Sequence, residues 1–217
     1  GLHLGSPIVP VTLNHVMVNK AKAEDAIYEH ESGTKILPAS LSMHSPKSIN
    51  LNRLQDITKR LRKIADYIIL DPAAGLGEEA RAAIKSSDEV IIITNPEISA
   101  VTDALKTIRL SQEMKKKVLG VIITRYQNDP LEMSIESIKD MLEIPILGIV
   151  PEDRAIKESQ HAKNAVIYTN PKSKSSKAYQ KIARRILGPE FMKGAEKVEK
   201  KTESFFRRLW EGIVRKS

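Results

Sequence analysis

The chain has 217 residues, enough for one large domain, or one domain with an appendage, that buries a sizeable core. It has no cysteine, which excludes disulfides and thiolate metal sites and fits a cytosolic protein, and it has no apolar run of about 18 residues that would predict a transmembrane helix. Residues 172–217 hold 14 basic and 5 acidic residues, whereas residues 1–171 hold 21 basic and 22 acidic ones. A basic tail on a neutral body predicts an anionic partner, either lipid or nucleic acid.

Apolar runs of strand length alternate with segments of helical spacing through most of the chain. The predicted strands are residues 34–37, 67–70, 90–94, 118–124 and 146–150, with a further possible strand at 166–169. The predicted helices are residues 51–64, 80–87, 101–114, 134–142, 155–162 and 175–187. This alternation predicts an α/β fold with a mostly parallel sheet and helices on both faces.

The second predicted strand ends in an acidic residue. Its four apolar residues lead directly into Asp71, and the chain then turns through Pro72 to Gly75. An acid at the carboxyl end of a buried parallel strand lies where open α/β sheets bind ligands. In P-loop nucleotidases such an acid holds Mg²⁺. The alternative is an ordinary turn in which Asp71 caps the next helix.

Polar residues also follow three later strands. They are Asn95 to Ser99, the Thr124-Arg125-Tyr126 turn, and Pro151-Glu152-Asp153. For the first of these turns considered alone, capping of the following helix by Ser99 or Thr102 is the better interpretation. Together with Asp71, however, these ends would line one rim of the sheet, which is where a ligand site is expected.

Four segments resemble the MinD branch of the MinD/ParA ATPases in order and spacing. They are Ile69 to Gly75, Thr94 to Ser99, Val121 to Tyr126, and Leu147 to Asp153. The resemblance runs over nearly the whole chain. It implies a cytosolic, P-loop NTPase-like ATPase that binds ATP and Mg²⁺, dimerises with ATP between its subunits, and attaches to the membrane through its C-terminus.

The resemblance also implies roles for individual residues. Asp71 matches the Walker B acid, which makes it the metal-binding and catalytic residue, and residues 73–76, including Gly75, match the switch II loop. Arg125, Pro151, Glu152 and Asp153 match the segments that cradle adenine. The family often has Asn near the Thr-Arg-Tyr turn, whereas this chain has Gln127.

The family's phosphate-binding loop, Lys-Gly-Gly-x-Gly-Lys-Thr, has no counterpart among the 217 residues. Residues 1–5 resemble the part of the family just after its second strand. We therefore expect the loop, the first strand and the switch I aspartate to lie upstream of Gly1. The chain as given should then bind ATP weakly or not at all and have a gap in its sheet. The alternative is a degenerate protein that never binds nucleotide.

The C-terminal residues have a different character from the body. We divide the chain into an ATPase-like domain at 1–188, a charged spacer at 189–203 and an amphipathic helix at 204–217. An apolar stripe opposite basic side chains predicts a helix lying in a membrane interface, although docking on the body is the alternative. The predicted membrane-binding residues are Phe205, Phe206, Arg207, Arg208, Leu209, Trp210, Ile213 and Val214.

We therefore expect a MinD-type ATPase that acts as a spatial regulator in cell division or in positioning a cellular structure. Its expected partners are a second copy, an anionic membrane surface and an unidentified activating or effector protein. It would be cytoplasmic and peripheral at the inner face of the cell membrane. The alternatives are a ParA-type partition ATPase whose tail binds DNA, which the apolar stripe disfavours, and a non-catalytic adaptor.

Overall fold

A computed structural model describes residues 9–30, 32–39 and 51–188. Its strands are β1 Tyr28–Glu29, β2 Lys35–Ile36, β3 Glu89–Thr94, β4 Lys117–Tyr126 and β5 Ile146–Pro151. Its helices are α1 Leu13–Met17, α2 Leu54–Leu61, α3 Glu78–Ser86, α4 Ile98–Glu113, α5 Ile135–Leu142, α6 Arg154–His161, α7 Val166–Thr169 and α8 at 174–188. Short 3-10 turns occur at Glu24–Ala26 and Leu51–Arg53. None of the described helices is long and apolar enough to cross a bilayer.

The main sheet is parallel, with the order β3-β4-β5, and helices cover both of its faces. Because side chains alternate along a strand, Val121 and Ile123 of β4 lie in one core cluster with residues of α4 and α5. Ile122 instead packs with Val150 and with Ile182 of α8. This arrangement confirms the predicted α/β fold with a parallel sheet between helices.

A second hydrophobic cluster joins α1, α2 and α3. Its buried members include Val16, Met17, Leu54, Ile57 and Ala82. Polar contacts connect this part to the sheet. The Arg62 guanidinium pairs with Asp88 just before β3 at 2.7 Å, and the Lys116 ammonium just before β4 donates to the carbonyls of Lys85 and Ser87.

The prediction of a strand at 67–70 is wrong for this structure. The segment is not assigned to a sheet, and its Ile69 side chain is 90% exposed. Among the described strands, β3 pairs only with β4, and Ile93 on β3 is 65% exposed. An apolar run becomes a strand only when a neighbouring strand completes its hydrogen bonds, and none of the described strands pairs with 67–70.

The structure also differs from the prediction at two other predicted strands, 34–37 and 166–169. The 34–37 segment contributes only β2, which pairs antiparallel with β1 in a separate sheet because the chain reverses at Gly33, where φ is +79°. Residues 166–169 form α7 rather than a strand. The buried hydroxyl of Ser176 donates to the carbonyls of Val166 and Asn170, so α8 holds this helical turn in place.

Candidate functional site

The candidate site lies at the carboxyl edge of the main sheet, because three parallel strands all end there. Hydrogen bonds between the strand ends hold this edge together. The Thr124 hydroxyl donates to the carbonyl of Thr94 at 3.1 Å, and the Glu152 amide donates to the carbonyl of Tyr126 at 2.9 Å. The edge is therefore a fixed platform on which the following loops are placed.

A pocket of about 240 Å³ opens at this edge. Three segments line it, one after β3, one at the end of β4 and one in the turn that follows β4. The lining residues are Asn95, Pro96, Glu97, Arg125, Gln127, Asp129, Leu131 and Glu132. Pockets at strand carboxyl ends are the usual ligand sites of α/β sheets.

Glu132 shapes the wall of this pocket that follows β4. Its carboxylate accepts hydrogen bonds from the backbone amides of Gln127 and Asp129, at 3.1 and 3.3 Å. The next residue, Met133, donates its amide to the carbonyl of Pro96 at 2.9 Å. The turn after β4 is thus tied to the loop after β3, and the two walls keep a fixed separation.

Asn95 carries an unsatisfied acceptor next to the pocket. Its amide nitrogen donates to a Glu97 carboxylate oxygen at 3.0 Å, which assigns the orientation of the side chain. Its Oδ1 atom is buried and has no hydrogen-bond partner. An unmatched buried acceptor costs about 1–3 kcal/mol, so a donor supplied by a ligand or water would relieve that cost.

Arg125 occupies an unusual backbone conformation. Its φ of +58° lies in the left-handed region, which costs a residue other than glycine roughly 1–2 kcal/mol. Its guanidinium lies 3.5 Å from a Glu152 carboxylate oxygen, and the exposed pair contributes at most about 1 kcal/mol. The ion pair does not fully offset the cost of this backbone conformation. Backbone strain of this kind is typical of functional positions.

Asp153 serves as a structural anchor. Its carboxylate caps α6 by accepting from the Ala155 amide at 3.0 Å, and it accepts from both the amide and the hydroxyl of Ser175, at 3.0 and 2.9 Å. These hydrogen bonds, first the one from the Ser175 amide and then the one from Ala155, lower the pKa of Asp153 below its ordinary 3.8. The loop after β5 is therefore fixed to the start of α8.

The structure brings only some of the predicted site residues together. Arg125 lines the pocket, and Glu152 reaches it through the ion pair, but Pro151, Glu152 and Asp153 do not line it. The predicted catalytic residues Asp71 and Gly75 are both exposed, and they follow the 67–70 segment, which is not assigned to a sheet. The predicted membrane-binding residues at 205–214 lie outside the described residues.

Sequence reasoning placed no site role on Asn95, Gln127, Glu132 or Ser175. A partial signal existed for the first two, because they follow the strand ends that were singled out. The Asp129-Pro130 pair also marks a turn. No local signal indicates Glu132 or Ser175, whose partners are determined by the tertiary fold.

Comparison with known proteins decides the family. The ParA family model, described as NUBPL iron-transfer P-loop NTPase, matches residues 52–187. The chain is 32% identical to an ATP-binding protein of Methanocaldococcus jannaschii, covering 94% of this chain and 76% of that protein. It is 30% identical to the septum site-determining protein MinD of Synechocystis, covering 84% of this chain and 68% of that protein.

Comparison with solved structures indicates the same family. The septum site-determining protein MinD from Pyrococcus horikoshii, in complex with Mg-ADP, superposes with a TM-score of 0.80 at 32% identity, covering 85% of this chain and 76% of that one. The chain belongs to the MinD/ParA family of P-loop ATPases. Members of this family are ATPases that use ATP and Mg²⁺, which confirms the resemblance identified from the sequence.

The described residues offer a place for the base of such a nucleotide but not for its Mg²⁺ ion. The pocket beside Arg125 has room for a base, and polar side chains line it. A Mg²⁺ ion requires a carboxylate held in a fixed position, and Asp71 is exposed on a segment that belongs to no strand. Within the described ranges, no three acidic or histidine side chains group into a metal site. The described residues do not form a metal site by themselves, and we derive no catalytic step through the metal.

Proposed function

We propose that this member of the family is a MinD-type ATPase whose pocket beside Arg125 receives the adenine base of ATP. The observation that carries the proposal is the pocket at the carboxyl edge of the sheet, next to which the buried Oδ1 of Asn95 has no hydrogen-bond partner. Adenine offers an exocyclic amino group as a donor, whereas guanine has a carbonyl oxygen at that ring position. A small rotation of Asn95 would direct its acceptor to that amino group.

Pro151, Glu152 and Asp153 would border the base without enclosing it. Asp153 fixes this loop through Ser175, and Glu152 orients the Arg125 guanidinium. Asp71 as the metal anchor and the 73–76 loop, including Gly75, as the γ-phosphate sensor remain proposals that rest on the match to the family's motifs.

A nucleotide-preference measurement tests the base site. Saturation-transfer NMR detects weak binding, so it suits a chain without a recognisable phosphate loop. We expect a stronger signal from ATP than from GTP, and we expect Asn95→Ala to remove the difference. Gln112→Ala, an exposed amide on α4, is the matched control. Equal signals from ATP and GTP with the unaltered chain would contradict an adenine pocket.

We further propose that the protein is cytoplasmic, attaches to the inner face of the cell membrane through residues 204–217, and acts as a spatial regulator of cell division or positioning. The supporting observations are the apolar stripe opposite basic residues in this segment and the MinD relatives, which are named as septum site-determining proteins. A homodimer would carry two such helices. Once the first helix has bound the membrane, the second is held near the surface, so the dimer would bind far more tightly than a single subunit. ATP-dependent dimerisation would then control attachment, and an effector protein would end it.

Co-sedimentation with anionic vesicles tests the membrane role. The full chain should pellet with vesicles, whereas Phe206→Glu should not, because an acidic group replaces a side chain that must enter the interface. Tyr168→Glu makes the same kind of change at an exposed position of the body and should leave sedimentation unchanged. Equal sedimentation with and without residues 204–217 would refute the role. Tail-dependent binding to DNA in place of vesicles would indicate the ParA-type alternative.

A further inference from the structure

A large cavity in the described part of the molecule lies away from the carboxyl edge of the sheet. It has a volume of about 700 Å³ and runs between residues 19–25 and one face of α2 with its preceding turn. That face carries Arg53, Asp56, Ile57 and Arg60, which follow the i, i+3, i+4, i+7 spacing of a single helical stripe. We call this cavity the basic groove.

The base of the groove is apolar. Val16, Ala23 and Ile57 line it and also belong to the buried cluster beneath α1 and α2. Their packing against that cluster makes the base rigid. Because these three side chains are themselves buried, they offer an aliphatic group of a ligand only a small apolar contact.

The rim of the groove is positively charged. Lys20 and Lys22 lie on one wall and Lys59 and Arg60 on the other, all four with exposed side chains. Two carboxylates also line the groove: Asp56 lies 3.9 Å from the Lys59 ammonium, and Asp25 accepts a hydrogen bond from the Lys22 backbone amide at 3.4 Å. Together with Arg53, the four rim cations still outnumber these two acids. This concentration of positive charge is local, since residues 1–171 hold nearly equal numbers of basic and acidic residues.

Arg53 supplies a fixed cation between the two walls. Its half-buried guanidinium donates to the carbonyl of Met17 at 2.6 Å and to Oδ1 of Asn19. These two bonds use two of five N–H donors, so three remain for an anionic group. An arginine held in this way loses little side-chain entropy when it binds a carboxylate.

We propose that the basic groove is a docking site for an acidic segment of a partner protein. Carboxylates of the segment would pair with Arg53 and with the lysines of both walls, while an aliphatic side chain would contact the base of the groove. A small phosphate-bearing ligand fits less well. It would leave most of the 700 Å³ and the whole apolar base without contact.

Fluorescence anisotropy with a labelled peptide of Glu-Glu-Leu-Leu repeats tests the proposal on the full chain. We expect binding that weakens as the salt concentration rises, because the rim charges are exposed. The same peptide with Gln in place of Glu should bind at least about tenfold more weakly. Carbodiimide should cross-link the Glu peptide to Lys20, Lys22 or Lys59.

The double variant Lys22→Glu/Arg60→Glu should weaken binding of the Glu peptide by at least about tenfold. The matched control is Arg109→Glu/Lys139→Glu, which makes the same change of charge at exposed positions of α4 and α5. It should bind as the unaltered chain does. The proposal is overturned if the two double variants weaken binding equally, if the Gln peptide binds as well as the Glu peptide, or if tripolyphosphate binds in the groove and the Glu peptide does not.

Discussion

Gly148 on β5 is a position at which α8 packs closely against the sheet. A Cβ atom added there would lie 2.3 Å from Cγ1 and 2.7 Å from Cδ1 of Ile182. Carbon atoms in contact are about 3.5–4.0 Å apart, so Ile182 would have to move by about 1 Å or more. Overpacking of this kind costs roughly 1–3 kcal/mol. For a chain of this length, we expect Gly148→Ala to lower the Tm by roughly 2–12 °C.

A double-mutant cycle measured by urea unfolding locates the cause. Ile182→Ala alone should cost about 2–5 kcal/mol because it leaves a cavity. Gly148→Ala/Ile182→Ala should be less destabilised than the sum of the two single variants by about 1–3 kcal/mol, because the added methyl group enters that cavity.

Gly120 offers a control for this cycle. Its added Cβ would lie 2.3 Å from the backbone carbonyl oxygen of Pro145 as well as near Leu147. Truncating Leu147 to Ala should therefore not rescue Gly120→Ala. Additive free energies for Gly148 and Ile182, or a neutral Gly148→Ala, would refute the contact between α8 and the sheet.

Three further outcomes are expected. Asp153 has a lowered pKa, so its contribution to stability is complete above the ordinary pKa of 3.8 and is lost as the pH falls below it. Ser175→Ala removes the hydroxyl bond to Asp153 and keeps the amide bond, so its acid titration should show a smaller loss of stability, and an equal loss would show that the hydroxyl bond does not contribute. Arg125→Gly should leave the Tm unchanged or raised, since glycine relieves the left-handed strain, while the ATP preference disappears; a fall of several degrees would contradict this. Calorimetry with ATP and Mg²⁺ should show no micromolar affinity for the chain as given, and such an affinity would show that a phosphate loop is dispensable.

The sequence alone predicted the helices and strands in which buried apolar residues follow a regular spacing. Strands β3 to β5 and helices α3 to α6 lie within a few residues of their predicted positions, because apolar spacing reports burial directly. The segment at 67–70 shows why the same pattern failed elsewhere. Its apolar run is as regular as that of β3, but strand formation depends on a neighbour that the pattern itself does not contain.

The sequence predicted that the candidate site lies at the carboxyl edge of the sheet, but it did not predict which residues line the pocket. Polar residues after strand ends identified Arg125 and the neighbourhood of Asn95. The bond from Ser175 to Asp153 spans 22 positions and that from Thr124 to Thr94 spans 30, so only the folded topology brings the partners together. The basic groove was equally hidden, because its two walls are separated in sequence by β1 and β2.

Photolabelling of the chain with 8-azido-ATP, followed by mass spectrometry of its peptides, tests the adenine site most directly. The azide lies on the base, so the label marks the residues that contact adenine. We expect labelling within residues 95–97 or 125–132, and protection by excess ATP but not by excess GTP. Labelling elsewhere on the body, or equal protection by the two nucleotides, would contradict an adenine site at the carboxyl edge of the sheet.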